Sequence, residues 1–205
     1  ARRFPTADHV IWNDGEAAAR DIVTLIGAGH RPDALIDGGA VDMCTARHLD
    51  RDLFNLDVEV GSPILPFQPT PLATVTWARG CPYRCRFCSV ANQHASTVLR
   101  HKPIELIEEE LDDLHARLGG RIGSLMIHDD ITFHPQRVAE WCEVILRKHG
   151  PIPLWMQVRS DWVVSCYQKH RDLWALICRA GLTWASVGYE SGSQRMLDYL
   201  NKKTT

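Results

Sequence analysis

The chain has 205 residues, enough for one large domain or one and a half small ones, and a globule of that size buries about 70% of its unfolded surface. Hydrophobic residues at 45% and charged residues at 23% are ordinary for a folded protein, which excludes a disordered or low-complexity chain. A formal net charge of −2 offers no basic footprint for nucleic acid or anionic lipid, and no apolar run reaches the roughly 18 residues of a membrane span. The first residue is Ala1 and no signal-peptide pattern follows it, so a cytoplasmic piece of a longer protein is expected.

In chain order, Gly15 to Ile26 predicts a helix with Glu16 near its positive end, and Ala34–Ile36 a short strand before Gly38-Gly39. Between Gly61 and Pro71 stand Pro63, Pro66, Pro69 and Pro71, an extended linker that divides residues 1–60 from 72–205. Leu72 to Ala78 reads as a strand. Ile104 to Leu118 reads as a helix with Ile104, Ile107, Leu111, Leu114 and Leu118 on one face, stopped by Gly119-Gly120. Its run Glu108, Glu109, Glu110, Asp112 and Asp113 is expected to be the solvated face. Ser124–His128, Leu154–Ser160 and Thr183–Glu190 are further strands, separated by helices from Pro135 to about Lys148 and from Asp172 to Ala180, with a last helix from near Ser193. The spacing of about thirty residues between strands is that of a βαβ crossover. The fold class is therefore α/β, with four βα units of a barrel-like domain and a parallel sheet.

Seven cysteines include a triplet in Cys81-Pro-Tyr-Arg-Cys85-Arg-Phe-Cys88, too tightly spaced for a disulfide framework in a chain this long. Three thiolates in a tight loop suit three corners of a cubane iron–sulfur cluster, leaving one iron open to a substrate or cofactor. A zinc site completed by a residue such as His94, or a metal-free cluster of thiols, uses the same residues. Cys142 and Cys178 fall in helical apolar patterns and are expected, with Cys44 and Cys166, to be small hydrophobes. Trp77, Trp155 and Trp184 lie in predicted strands and are expected to pack rather than to recognise substrate.

The triplet, with Phe87 before its third cysteine, resembles the signature of radical S-adenosylmethionine enzymes. The resemblance implies that Cys81, Cys85 and Cys88 hold a [4Fe–4S] cluster whose open iron is chelated by S-adenosylmethionine. It also implies reductive cleavage of the sulfonium to methionine and a 5′-deoxyadenosyl radical, fed by an external donor such as flavodoxin or ferredoxin. That radical takes hydrogen from a small-molecule substrate. An iron–sulfur electron carrier and a zinc-stabilised interaction module are the alternatives from other classes.

Later strands end in polar residues: His128-Asp129-Asp130, then Gln157, Arg159 and Asp161, then Ser186, Gly188 and Glu190. Alternation puts Gln157, Arg159 and Asp161 on one face, and Ser186, Gly188 and Glu190 on another. Against the groups of S-adenosylmethionine, Asp129 or Asp130 matches the ammonium, Arg159 the carboxylate and Glu190 the ribose hydroxyls, with Phe87 alongside. Plainer readings are loop capping before Pro135 for the two aspartates, a local ion pair for Arg159 and Asp161, and the following helix start for Glu190.

Arg79-Gly80-Cys81, His128-Asp-Asp-Ile-Thr-Phe133, Gln157-Val-Arg-Ser-Asp161, Gly188-Tyr-Glu-Ser-Gly-Ser193 and Asn201-Lys202 resemble the branch that carries a cobalamin-binding domain ahead of the radical domain. Phe4-Pro-Thr-Ala-Asp8 and Asp14-Gly-Glu16 resemble the tail of that domain, so residues 1–60 are expected to be its remnant and 72–205 a radical domain with four of its usual six βα units. The Asp-x-His-x-x-Gly loop whose histidine can ligate cobalt has no counterpart here, so cobalamin is expected only of a longer parent. Branch members methylate unactivated carbon or phosphorus, or rearrange and cyclise rings.

Overall fold

The computed structural model describes residues 7–53, 69–92, 97–130 and 134–204. Most of the Pro-rich linker, Phe4–Thr6, His94 and Ile131–Phe133 lie outside the described residues. Ahead of the linker, strand β1 (Val10–Trp12), helix α1 (Glu16–Gly27) and strand β2 (Leu35–Asp37) form a βαβ unit whose strands pair in parallel, Ile11 opposite Ile36. Strand β1 was not expected from the sequence, whereas its partner β2 was.

Beyond it a four-stranded parallel sheet is built from β3 (Leu72–Val75), β6 (Ser124–Ile127), β7 (Leu154–Arg159) and β8 (Leu182–Gly188), in that spatial order. This is the predicted α/β architecture, an open arc of parallel strands with each neighbour reached by a helical crossover. The predicted first strand is divided. It ends at Val75, and the chain then makes β4 (Ala78–Arg79), which pairs antiparallel with β5 (Arg100–His101) as a ribbon beside the main sheet.

Helices α2 (Ile104–Arg117), α3 (Pro135–His149), α4 (Ser160–Lys169) and α5 (Arg171–Ala180) follow, with α6 (Gln194–Tyr199) near the end of the chain. Helix α4 is unforeseen because Trp162, Val163, Val164 and Tyr167 favour extended structure. Its Trp162 and Cys166 are nevertheless four apart and both buried, so tertiary burial wins over local preference. Gly181 ends α5 with φ 112°, and a Cβ there would stand 2.1 Å from the Ile152 carbonyl oxygen, so only glycine fits between α5 and β8.

Val75, Leu125, Ile127, Leu154, Met156 and Val158 form one face of the sheet and pack with Ile107, Leu111, Trp141, Ile145 and Ile177 of the helices. The other face carries Met126 opposite Trp155, Trp155 opposite Trp184, Gln157 opposite Ser186 and Arg159 opposite Gly188. The polar alternation therefore lies on the side away from the helical core. Trp155 and Trp184 are half-buried cross-strand neighbours on that side, whereas Trp77 belongs to the helix-side core, its ring 5.5 Å from that of Trp141 and tilted by 54°. Cys142 and Cys166 are buried as expected, whereas Cys44 and Cys178 are exposed. Cys178 follows the buried Ile177 by one residue, which turns it about 100° off the inward stripe. Among the described residues no helix is long and apolar enough to cross a membrane.

Candidate functional site

The ribbon β4–β5 brackets the cysteine triplet, so the loop begins just beyond the carboxyl end of β3, the edge of the sheet where barrel enzymes build their sites. Cys85 is buried, Cys81 and Cys88 are half-buried, and the Cys88 N–H donates to the Cys85 carbonyl at 3.1 Å. Burial pushes the Cys81 thiol up from its ordinary pKa, and the nearby Cys88 and Cys85 sulfurs push the same way; a hydrogen bond from the Tyr83 backbone and the Arg159 charge oppose them. The Cys81 sulfur thus has the other two sulfurs of the triplet in its neighbourhood. A cation among them removes the repulsion and displaces their protons, which is the donor chemistry an iron–sulfur cluster requires. Among the described residues no three His, Cys, Asp or Glu side chains are gathered at the spacing of a preformed metal site, so the thiols are neighbours rather than converged.

Asp129 and Asp130 are turned onto the chain that leads into this loop. Asp129 Oδ1 accepts from the N–H groups of Trp77 and Ala78 at 2.7 and 2.9 Å, and Asp130 Oδ2 accepts from Gly80 at 2.7 Å. Neither caps α3: its N-cap is His134, which makes no side-chain capping bond. Asp129 is buried, and desolvation, reinforced by the Asp130 charge, drives its pKa up to about 7 against the pull of the two backbone bonds. The folded state thus holds a proton on Asp129 that the unfolded chain has lost. This contribution to stability is whole below about pH 4 and disappears as pH rises through about 7. Asp129→Asn keeps an acceptor without the charge, so its stability relative to the parent is expected to rise by up to ~4 kcal/mol between pH 4 and pH 8. Denaturant melts of both proteins across that range check this, and parallel pH profiles would overturn it.

Arg159 is buried and committed. Its Nε and Nη2 grip Asp161 at 2.9 and 3.0 Å, Nη2 also donates to the Lys202 carbonyl at 2.8 Å, and the guanidinium lies 3.6 Å above the Tyr83 ring. The plainer reading, a local ion pair, is what forms. Asp161, expected on the strand with Gln157, instead sits in the first turn of α4, reached because the chain turns at Arg159. Glu190 lies beyond β8 with φ 62° and accepts from Lys202 Nζ at 3.0 Å. Phe87 is half-exposed, with Lys202 Nζ 5.6 Å from its ring centre. The triplet loop, Asp129, Asp130, Arg159 and Glu190 are thus brought to one edge of the sheet.

Three features escaped the sequence. Tyr83 stacks under Arg159, a contact that nothing in the motif's spacing announces. Glu110, read as part of a solvated charge run, is buried and accepts from Lys102 Nζ at 2.8 Å and from Trp77 Nε1 at 3.2 Å. It follows the buried Ile107 by three residues and so shares its stripe, a signal that a run of like charges concealed. The βαβ unit, third, is docked ionically: Asp14 meets Arg79 at 3.3 Å and Arg100 at 2.7 Å, one on each strand of the ribbon. A cleft of about 600 Å³ lies between this unit and β3, with Arg79, Lys102 and Glu110 among its walls.

Residues 75–205 match the Radical SAM superfamily. The chain belongs to that superfamily. Members of it are enzymes, and the radical SAM match begins at the last residue of β3 and takes in every strand and helix described after it. The chain is also 24% identical over 98% of its length to an anaerobic magnesium-protoporphyrin IX monomethyl ester cyclase of Cereibacter sphaeroides, covering 34% of that protein. It is 27% identical over 65% of its length to a protein of the same description from Rubrivivax gelatinosus, covering 23% of it. An uncharacterised methyltransferase of Pyrococcus horikoshii matches along the whole chain at 24% identity, 45% of its own length being covered. Among solved structures, the cobalamin-dependent radical enzyme OxsB with aqua-cobalamin and S-adenosylmethionine bound aligns over 64% of this chain and 20% of its own, with TM-score 0.55 and 28% identity. Its apo form aligns over the full chain and 31% of its own at TM-score 0.72 and 19% identity, a likeness of fold. The chain spans less than half the length of each of these relatives.

Proposed function

We propose that this chain carries the cluster- and cofactor-binding half of a radical S-adenosylmethionine enzyme, with Cys81, Cys85 and Cys88 ligating a [4Fe–4S] cluster. The observation that carries it is the placing of three cysteines, with the Cys88 N–H turned onto the Cys85 carbonyl, in one loop at the carboxyl edge of a parallel sheet. When bound, the cluster and cofactor supply reductive cleavage of the sulfonium and a 5′-deoxyadenosyl radical that takes hydrogen from the substrate. The chain's residues hold and orient. Asp130 is exposed and has given one carboxylate oxygen to Gly80, so it is the acceptor for the cofactor ammonium, while Asp129 fixes the strand ahead of the loop. Glu190 receives the ribose hydroxyls and Phe87 flanks them. Arg159 supports Tyr83 and the loop through Nε and Nη2, which hold Asp161 and the Lys202 carbonyl, and its remaining nitrogen, Nη1, is the donor for the cofactor carboxylate.

Residues 1–60 are read as the end of a cobalamin-binding domain, joined through 61–71 to a radical domain over 72–205. Relatives described as a cyclase and a methyltransferase, and a cobalamin-dependent one, support a small-molecule substrate that is methylated, rearranged or cyclised. Cobalamin is inferred from the cobalamin-dependent relative rather than from any residue of this chain, and a flavodoxin- or ferredoxin-type donor would supply the electron.

Anaerobic reconstitution followed by electron paramagnetic resonance tests the proposal. Adding S-adenosylmethionine is expected to change the reduced-cluster signal, because one iron is open. An unchanged signal would instead indicate a fully ligated electron carrier, and stoichiometric zinc without iron would overturn both.

A further inference from the structure

The end of the described chain is laid along the cysteine loop. The Leu200 carbonyl accepts from the Arg86 N–H at 2.9 Å, Asn201 Nδ2 donates to the Arg84 carbonyl at 2.7 Å, and the Lys202 carbonyl accepts from Arg159. Lys202 itself is buried. A buried ammonium is tolerated only with an anion and hydrogen-bond acceptors around it, and here the anion is Glu190 at 3.0 Å. Two independent details say that the pair is a built feature. A Cβ on Gly188 would stand 2.8 Å from Glu190 Oε1 and 3.1 Å from Lys202 Nζ, so β8 presents a glycine where the pair sits. Glu190 also adopts a left-handed backbone, φ 62°, which a non-glycine residue holds only where its surroundings enforce it.

We propose that Lys202 is a positioning residue for the ribose of the nucleoside cofactor, acting through Glu190; this rests on the reading of Glu190 as the ribose acceptor. The ammonium engages one carboxylate oxygen and, lying 5.6 Å from the Phe87 ring centre, ties that carboxylate to the residue before the third cysteine. The other carboxylate oxygen is then aimed, and the ribose hydroxyls meet an acceptor of fixed direction. Without the ammonium, Glu190 gains rotamer freedom, and every hydroxyl bond it forms must offset that entropy.

Binding of adenosine and of 2′,3′-dideoxyadenosine to the anaerobically reconstituted 205-residue chain separates the possibilities. The parent is expected to prefer adenosine, and Glu190→Gln, which keeps only a neutral acceptor, to reduce the preference. Lys202→Met is expected to weaken adenosine binding about tenfold while leaving the dideoxynucleoside unchanged. Lys202→Arg is expected to keep most of the preference. Gly188→Ala, which crowds the pair without removing a charge, is expected to erode it and serves where Lys202→Met does not fold. A preference retained in full in Lys202→Met but reduced in Glu190→Gln would overturn the role of Lys202 and leave that of Glu190. Equal weakening of both nucleosides would mark Lys202 as structural only and overturn the proposal. No preference in the parent, or one unaffected by Glu190→Gln, would overturn the ribose reading and the proposal with it.

Discussion

Cys85→Ala is expected to take bound iron in the reconstituted chain from about four atoms to fewer than about one, and to stop release of 5′-deoxyadenosine. Two thiolates cannot hold three corners of a cubane, and Cys85 is the member of the triplet deepest in the protein. The turn that carries it is backbone-made, through the Cys88 N–H and the Cys85 carbonyl, so alanine leaves the loop's course intact at a cost of about 1 kcal/mol in lost contacts. Cys166→Ala is the control. That thiol is also buried, but inside α4, and its removal is expected to leave iron content unchanged. Equal loss of iron in both variants would mean that the cluster does not sit on the triplet. Iron and sulfide analysis reads the result directly, and circular dichroism separates it from unfolding.

The second large effect belongs to a pair remote from the motif. Lys102→Met or Glu110→Leu alone is expected to cost ~3–5 kcal/mol, a fall of roughly 10 °C in Tm for a chain this size. Each single change strands a charge whose side chain is only 3–4% exposed and whose partner stood 2.8 Å away. Changing both together removes the stranded charge, and most of the loss should return. A residue of ~1–2 kcal/mol is expected to persist, because Trp77 Nε1, 3.2 Å from Glu110, loses its acceptor. A double-mutant cycle by denaturant unfolding gives the coupling, and single variants within about 1 kcal/mol of the parent would show the pair to be solvated.

The pair matters for the site because of where it stands. Trp77 links Glu110 to the segment that Asp129 holds by its backbone, and that segment runs through Arg79 and Gly80 into Cys81. Asp14 of the preceding βαβ unit grips both strands of the same ribbon. The base of the cysteine loop is therefore anchored from three directions: helix α2, the loop after β6, and the unit ahead of the linker.

Much of this was legible in the residues themselves. Helices α2, α3 and α5 follow from apolar spacing of three and four, Gly181 from its place after the last apolar turn, and the cysteine loop from the closeness of its members; all are local relations, set by helix pitch or by chain connectivity. What tertiary structure decided is non-local. Alternation along β7 could not say which side of the sheet Gln157 and Arg159 occupy, since both faces of a strand have the same period; that was settled by the helices covering Leu154, Met156 and Val158. Helix α4 formed against its local preference, and the first predicted strand broke at Val75 so that a ribbon could frame the loop. Arg159 with Tyr83, Lys102 with Glu110, and Lys202 with Glu190 depend on which ionisable groups lose water together. Desolvation is a property of the packed molecule, so the triplet was readable in sequence order while its supports emerged only when distant segments were buried against one another.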